Sequence, residues 1–68
     1  MTLSEQIKIV KREIDFRKRL YPKWVEKGKM TQLEANYQID GMECVLSSLT
    51  ALLNFYRDVI SKNVENLK

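Results

Sequence analysis

The strongest constraint on the fold of this chain is a long apolar repeat in its second half. Between Ala35 and Leu67 the members of this repeat recur at alternating intervals of four and three residues, and Asn63 is the one polar member. Residues spaced in this way lie on one face of an α-helix. No proline interrupts the stretch. The repeat therefore predicts a single helix over about 32–67, roughly 54 Å long at 1.5 Å per residue.

A shorter repeat with the same spacing occupies the first part of the chain. It predicts a first helix over about 3–27, roughly 37 Å long by the same rule. Arg17 is the only charged member, and a charged residue at such a position commonly fixes the register of two helices. We expect Arg17 either to extend its charged group to solvent or to pair with a carboxylate on the facing helix, with Glu43 as the candidate partner. A functional cation in a groove is the less favoured alternative. The members of the repeat are Leu3, Ile7, Val10, Ile14, Arg17, Tyr21 and Trp24.

Pro22 leaves two interpretations of the end of this helix. A proline removes the hydrogen bond to the carbonyl four residues earlier, here that of Lys18. The helix therefore either kinks or gives way to a second short segment that begins at Pro22. We favour the kink, because Trp24 and Val25 lie close to the helix face on which the apolar residues before the proline recur.

Start and stop signals divide the two repeats. Thr2 and Thr31 are each followed three residues later by a glutamate, which is the pattern of a capping box at a helix N-terminus. Gly28 is suited to end the first helix, because glycine readily adopts the left-handed conformation required there. The predicted fold class is all-α: an antiparallel helical hairpin with a long second helix and a turn near Lys29, forming one domain over residues 1–68.

Two features predict self-association. The second helix is the longer, so its last turns extend past the start of the first, and both helices carry apolar side chains outside the contact face. A chain of this length also buries only about 60% of the surface of its unfolded form, which makes a single core marginal. We expect a dimeric four-helix bundle or a higher oligomer. The predicted interface residues are Ile9, Phe16, Leu20, Leu52, Phe55, Val59, Ile60, Val64 and Leu67.

Composition argues against several classes of function. The chain has no histidine and one cysteine, Cys44, so it offers neither an internal disulfide nor a common zinc site. It also lacks a glycine-rich phosphate loop and paired catalytic groups, so we expect neither an enzymatic activity nor a cofactor. No signal peptide and no run of about 20 apolar residues is present. We therefore expect a cytoplasmic protein with no membrane partner.

Positive charge is concentrated in the first helix. Residues 8–29 hold nine basic and three acidic residues, whereas residues 30–68 hold three basic and five acidic ones. Five of the basic side chains project over an arc of about 120° around the helix, an arrangement that can follow nucleic-acid phosphates. The favoured alternative is a solvated helix face, because Asp15 lies within the arc. The candidate phosphate-contacting residues are Lys8, Lys11, Arg12, Lys18 and Arg19.

The segment around Pro22 carries a distinctive pattern. Residues 17–30 read Arg-x-x-x-Tyr-Pro-x-Trp-Val-x-x-Gly-Lys-Met. This segment resembles small proteins of unknown function that are encoded in bacteriophages and prophages, and the similarity extends over roughly residues 13–46. The resemblance implies a phage or prophage product that acts in the cytoplasm of a bacterial host. It implies no activity and no site residues.

The hypotheses of function belong to three classes. The leading one is a small homo-oligomeric protein-interaction module that binds a bacterial or phage protein, for example as an inhibitor of a host defence system. The second is an accessory nucleic-acid-binding protein that uses the basic face of the first helix. The third is a minor virion or assembly component. Near the turn, Tyr21, Trp24 and Tyr37 either pack in the core, which we favour for the first two, or form a surface for a partner.

Overall fold

The computed structural model describes the backbone of residues 1–66 and the side chains of residues 1–61. Within this part of the chain there are two helices and no strand: α1 (Leu3–Glu26) and α2 (Gln32–Asn66). The two helices pack against each other, which confirms the predicted all-α hairpin with a longer second helix. The molecule is elongated and measures 61 × 18 × 14 Å.

Side-chain caps fix the starts of both helices. The Thr2 hydroxyl accepts a hydrogen bond from the Glu5 amide at 3.1 Å, and the Glu5 carboxylate accepts one from the Thr2 amide at 3.2 Å. These two bonds complete the capping box of α1. At the start of α2 the Thr31 hydroxyl accepts a bond from the Glu34 amide at 3.0 Å. Each bond satisfies a backbone donor that has no partner within its own helix. The return bond from the Thr31 amide to the Glu34 carboxylate is absent among the described residues, so the second predicted capping box is half formed.

The end of α1 is a Schellman motif centred on Gly28. The φ angle of Gly28 is 73°. Its amide donates to the Val25 carbonyl at 3.1 Å, and the Lys29 amide donates to the Trp24 carbonyl at 2.9 Å. This pair of bonds closes the last turn of a helix when the following residue is left-handed. The chain then reverses, and α2 begins at Gln32.

Pro22 lies inside α1, and the helix continues through it to Glu26 without a break. Lys27 is the C-cap, one residue after the last helical residue. The proline ring is exposed, while Tyr21 is buried and Val25 is half-buried. The missing hydrogen bond therefore falls on the outer surface of α1, and the contact with α2 is kept on both sides of it.

The core is a narrow line of residues drawn from the two repeats. Ile7, Ile14 and Tyr21, each seven residues apart, are the buried members in α1, and Ala35 is the buried member in α2. No described side chain is less than 2% exposed. Full burial of a large apolar side chain contributes about 1.5–3 kcal/mol, whereas ordering the backbone costs about 1–2 kcal/mol per residue. The contact between two helices is therefore a marginal core.

Candidate functional site

One ion pair between the helices distinguishes the two long sides of the hairpin. The Lys18 Nζ lies 3.0 Å from the Glu43 Oε1, so these two residues flank the same side of the contact between α1 and α2. Two residues further along each helix, a rotation of about 200°, Leu20 and Val45 flank the opposite side. Residues seven apart occupy equivalent positions, so each side continues along the molecule in heptads.

The side flanked by Leu20 and Val45 is apolar and open, and we call it the apolar face. Phe16 is 50% exposed, Leu52 is 41% exposed and Val59 is 37% exposed, far above the values in the core. Contiguous apolar surface of this kind commonly marks a site of interaction. The members of the apolar face are Ile9, Phe16 and Leu20 from α1, and Val45, Leu52 and Val59 from α2. Phe55 lies about 60° beyond Leu52, on the outer surface of α2.

The residues predicted for an oligomer interface are mostly exposed in the hairpin. Leu20 is half-buried, and Val64 and Leu67 lie outside the described side chains. Val45 was not among the predicted interface residues, although its seven-residue spacing from Leu52 is the signal that places it on the same face. The exposed predicted residues are Ile9, Phe16, Leu52, Phe55, Val59 and Ile60.

The last described turns of α2 extend past the start of α1. Along the contact face of α2, exposure rises from half-buried Leu53 to 50% at Tyr56 and 62% at Ile60. Ile60 belongs to the same repeat as the core residues, yet nothing among the described residues covers it. The difference in length between the two helices thus leaves core-type side chains exposed.

The opposite side of the hairpin is polar. Lys11 and Lys18 from α1 meet Glu43 and Ser47 from α2 around a shallow cavity of about 410 Å³. The side chains of the Lys18–Glu43 pair are 53% and 47% exposed, and exposed pairs of this kind contribute at most about 1 kcal/mol. The pair therefore marks the alignment of the two helices more than it stabilises them.

The prediction that Arg17 pairs with Glu43 is wrong. The Arg17 Nε instead bonds to the Glu13 Oε1 at 2.8 Å, one turn earlier in α1. A partner four residues away on the same helix lies directly alongside, so this pair forms without crossing the helix contact. Glu43 instead forms its ion pair with Lys18, the residue that follows Arg17.

The five candidate phosphate-contacting residues are all exposed and lie along the polar and outer surfaces of α1. Lys18 is engaged by Glu43. The other four make no ion pair within the described residues, and Asp15 lies among them on the same surface. The four are Lys8, Lys11, Arg12 and Arg19.

Aromatic residues near the turn divide between core and surface. The ring of Tyr21 is buried, as predicted, and stacks on Trp24, with ring centroids 5.8 Å apart. Trp24 itself is 36% exposed, so the prediction that it packs in the core is wrong. Tyr37 and Leu33 are 77% and 80% exposed, and with Tyr21 and Met30 they line an open groove of about 540 Å³. Sequence reasoning missed Leu33, because it lies outside both repeats.

Groups for metal binding or membrane insertion are not assembled in the described part of the chain. Over residues 1–66 no cluster of three or more histidine, cysteine, aspartate or glutamate residues is placed to hold a metal ion, and Cys44 is exposed. Neither described helix contains an apolar run that would cross a bilayer. No family model, curated protein or solved structure matches this chain.

Proposed function

We propose that the chain is a non-enzymatic protein-interaction module of the bacteriophage type, which acts as a homo-oligomer in the bacterial cytoplasm and modulates a host protein or defence system. The observation that carries the proposal is the apolar face, which extends over both helices and exposes Phe16 and Leu52. The bacterial setting rests on the resemblance of residues 17–30 to small phage and prophage proteins.

The proposed assembly is a dimeric four-helix bundle in which two apolar faces meet. Bundles of this kind bury side chains on the flank of each helix as well as on its main contact line. The heptad positions of Val45, Leu52 and Val59 on α2 supply such a flank, and Ile9 and Phe16 supply the corresponding one on α1. Face-to-face association would bury side chains that a single hairpin leaves half exposed.

Light scattering followed by affinity capture tests the proposal. We expect the purified 8.1 kDa chain to give the mass of a dimer, and the tagged chain to retain a specific protein from a bacterial host. The matched baits are Leu52→Asp, on the apolar face, and Asn54→Asp, which makes the same charge change at an exposed position on the polar side. Because the proposed dimer buries the apolar face, Leu52→Asp is expected to lose the captured protein by breaking the dimer, whereas Asn54→Asp is expected to keep both. Loss of the captured protein with both baits or with neither would contradict the dependence of capture on the assembly.

A second candidate function is non-specific nucleic-acid binding through α1. It is favoured by four exposed lysine and arginine side chains along α1 that make no ion pair within the described residues. Contacts from lysine and arginine to phosphates release counterions, so we expect the affinity to be weak and to fall steeply between about 50 and 200 mM salt.

A charge-matched pair of triple variants tests this second function in a mobility-shift assay. Replacement of Lys8, Arg12 and Arg19 with glutamine is expected to abolish the shift. Replacement of Lys23, Lys27 and Lys29 with glutamine, near the turn, removes the same net charge and serves as the control. Equal losses in the two variants would indicate attraction by net charge alone, and sequence-selective binding that survives high salt would require a different interface.

A further inference from the structure

We infer that the apolar face is covered by a second copy of the chain in one particular orientation: both turns lie at the same end of the bundle, and α1 packs against α2 of the partner subunit. This inference rests on the proposed self-association and specifies its geometry.

A second copy is the partner that the dimensions of the hairpin favour. The apolar face runs along a molecule whose Cα trace is 61 Å long, a length over which two identical hairpins can pack side by side. The core of the single hairpin is also small, with four buried apolar residues among those described. A hairpin with so small a core gains stability from cover on its apolar face, and a second copy is present wherever the chain is made.

Two-fold symmetry allows two ways for the apolar faces to meet. If the symmetry axis runs parallel to the helices, both turns lie at one end and α1 packs beside the partner's α2. If the axis runs perpendicular to the helices, the turns lie at opposite ends. Each helix then packs beside its own counterpart, α1 beside α1 and α2 beside α2.

Charge favours the parallel axis. Helix α1 holds seven basic and four acidic residues, a net charge of +3, and α2 holds two basic and five acidic residues, a net charge of −3. Packed helices lie about 8–10 Å apart, which is close to the Debye length at physiological ionic strength, so charges on neighbouring helices are only partly screened. The parallel axis gives every helix two neighbours of opposite charge. The perpendicular axis places each helix beside one of like charge.

Side-chain size also fits the parallel axis. Rotation about that axis preserves height along the molecule, so the register is fixed by the hairpin itself. In an antiparallel hairpin, the residue numbers of facing positions on α1 and α2 have a constant sum. The ion pair between Lys18 and Glu43 sets this sum at about 61, so residues with that sum lie at the same level along the long axis. Phe16 therefore lies level with Val45 of the partner subunit, between the heptad positions of Gly41 and Ser48. In this orientation Phe16, the bulkiest side chain of α1 on this face, lies beside a stretch of α2 in which Gly41 and Ser48 leave room for its ring.

The distance between the two turns tests the orientation. In a chain carrying Cys44→Ala and Lys29→Cys, a spin label on the new cysteine lies at the exposed turn. With both turns at one end, the helix spacing predicts a separation of less than about 30 Å between the labels. With turns at opposite ends, the rise of 1.5 Å per residue predicts about 45 Å or more. Dilution with unlabelled Cys44→Ala chains is expected to remove the coupling, which identifies it as a contact between subunits.

The outcomes separate this inference from the function on which it rests. A dimer mass with a distance below about 30 Å supports the orientation. A dimer with a longer distance, or a larger assembly, overturns the orientation and leaves self-association standing. A folded 8.1 kDa monomer at high concentration overturns both.

Discussion

Gly28 and Arg17 show how far single residues could be predicted from the sequence. A left-handed Gly28 was predictable, because a glycine at the end of an apolar repeat and ahead of a capping box has one common role. The partner of Arg17 was not predictable. Glu13 and Glu43 were both available, and the choice between them depends on how α1 is rotated about its own axis.

The conformation of Gly28 gives a prediction at the scale of one residue. Gly28→Ala is expected to lower the free energy of unfolding by about 1–2 kcal/mol, because residues with a Cβ are disfavoured in the left-handed region. An added Cβ would meet nothing within 4 Å, so the cost is conformational and not steric. Urea unfolding measures it, with Lys29→Ala at the neighbouring exposed position as the control. Equal stability of the two variants would show that the turn does not require a left-handed residue.

The helices themselves were predictable because local signals and long-range packing agree. The two apolar repeats contain all four residues that are buried among those described, and the Thr2 capping box forms as its pattern indicates. The division of the hairpin into an apolar and a polar side was harder to predict. It depends on which flank of α1 lies beside which flank of α2, and the Lys18–Glu43 pair supplies that information.

Pro22 gives a prediction at the scale of the element. Because α1 continues through Pro22, Pro22→Ala restores a donor for the Lys18 carbonyl and removes a residue that is about 3 kcal/mol less favourable than alanine in a helix interior. We expect the variant to be more stable by about 1–3 kcal/mol in urea unfolding. Lys23→Ala, at the next exposed position, is the control and is expected to change stability by less than about 0.5 kcal/mol. A destabilised Pro22→Ala variant would mean that the ring makes contacts that the hairpin alone does not show.

At the scale of the whole molecule, stability and assembly are expected to depend on the same side chains. Only four of the described residues are buried in the hairpin, and its apolar face leaves large side chains from both helices half exposed. The sequence indicated an excess of apolar surface, because the apolar sector of the second helix is wider than one contact stripe requires. It did not indicate that the excess from both helices lies on one side, because that placement depends on the antiparallel packing of α1 and α2.

Two charges on the apolar face test this dependence directly. Leu52→Asp combined with Val59→Asp places carboxylates at equivalent heptad positions on α2, where the proposed dimer would have to bury them without partners. We expect the double variant to be monomeric in light scattering and largely unfolded by circular dichroism at 25 °C. Asn54→Asp combined with Ser61→Asp has the same charge change and the same spacing, at exposed positions on the polar side, and should remain a folded dimer. If the first variant kept the dimer mass, the subunits would have to meet through another surface. If it became a stably folded monomer, the hairpin core would be sufficient alone, and the apolar face would remain as a docking surface for a different protein.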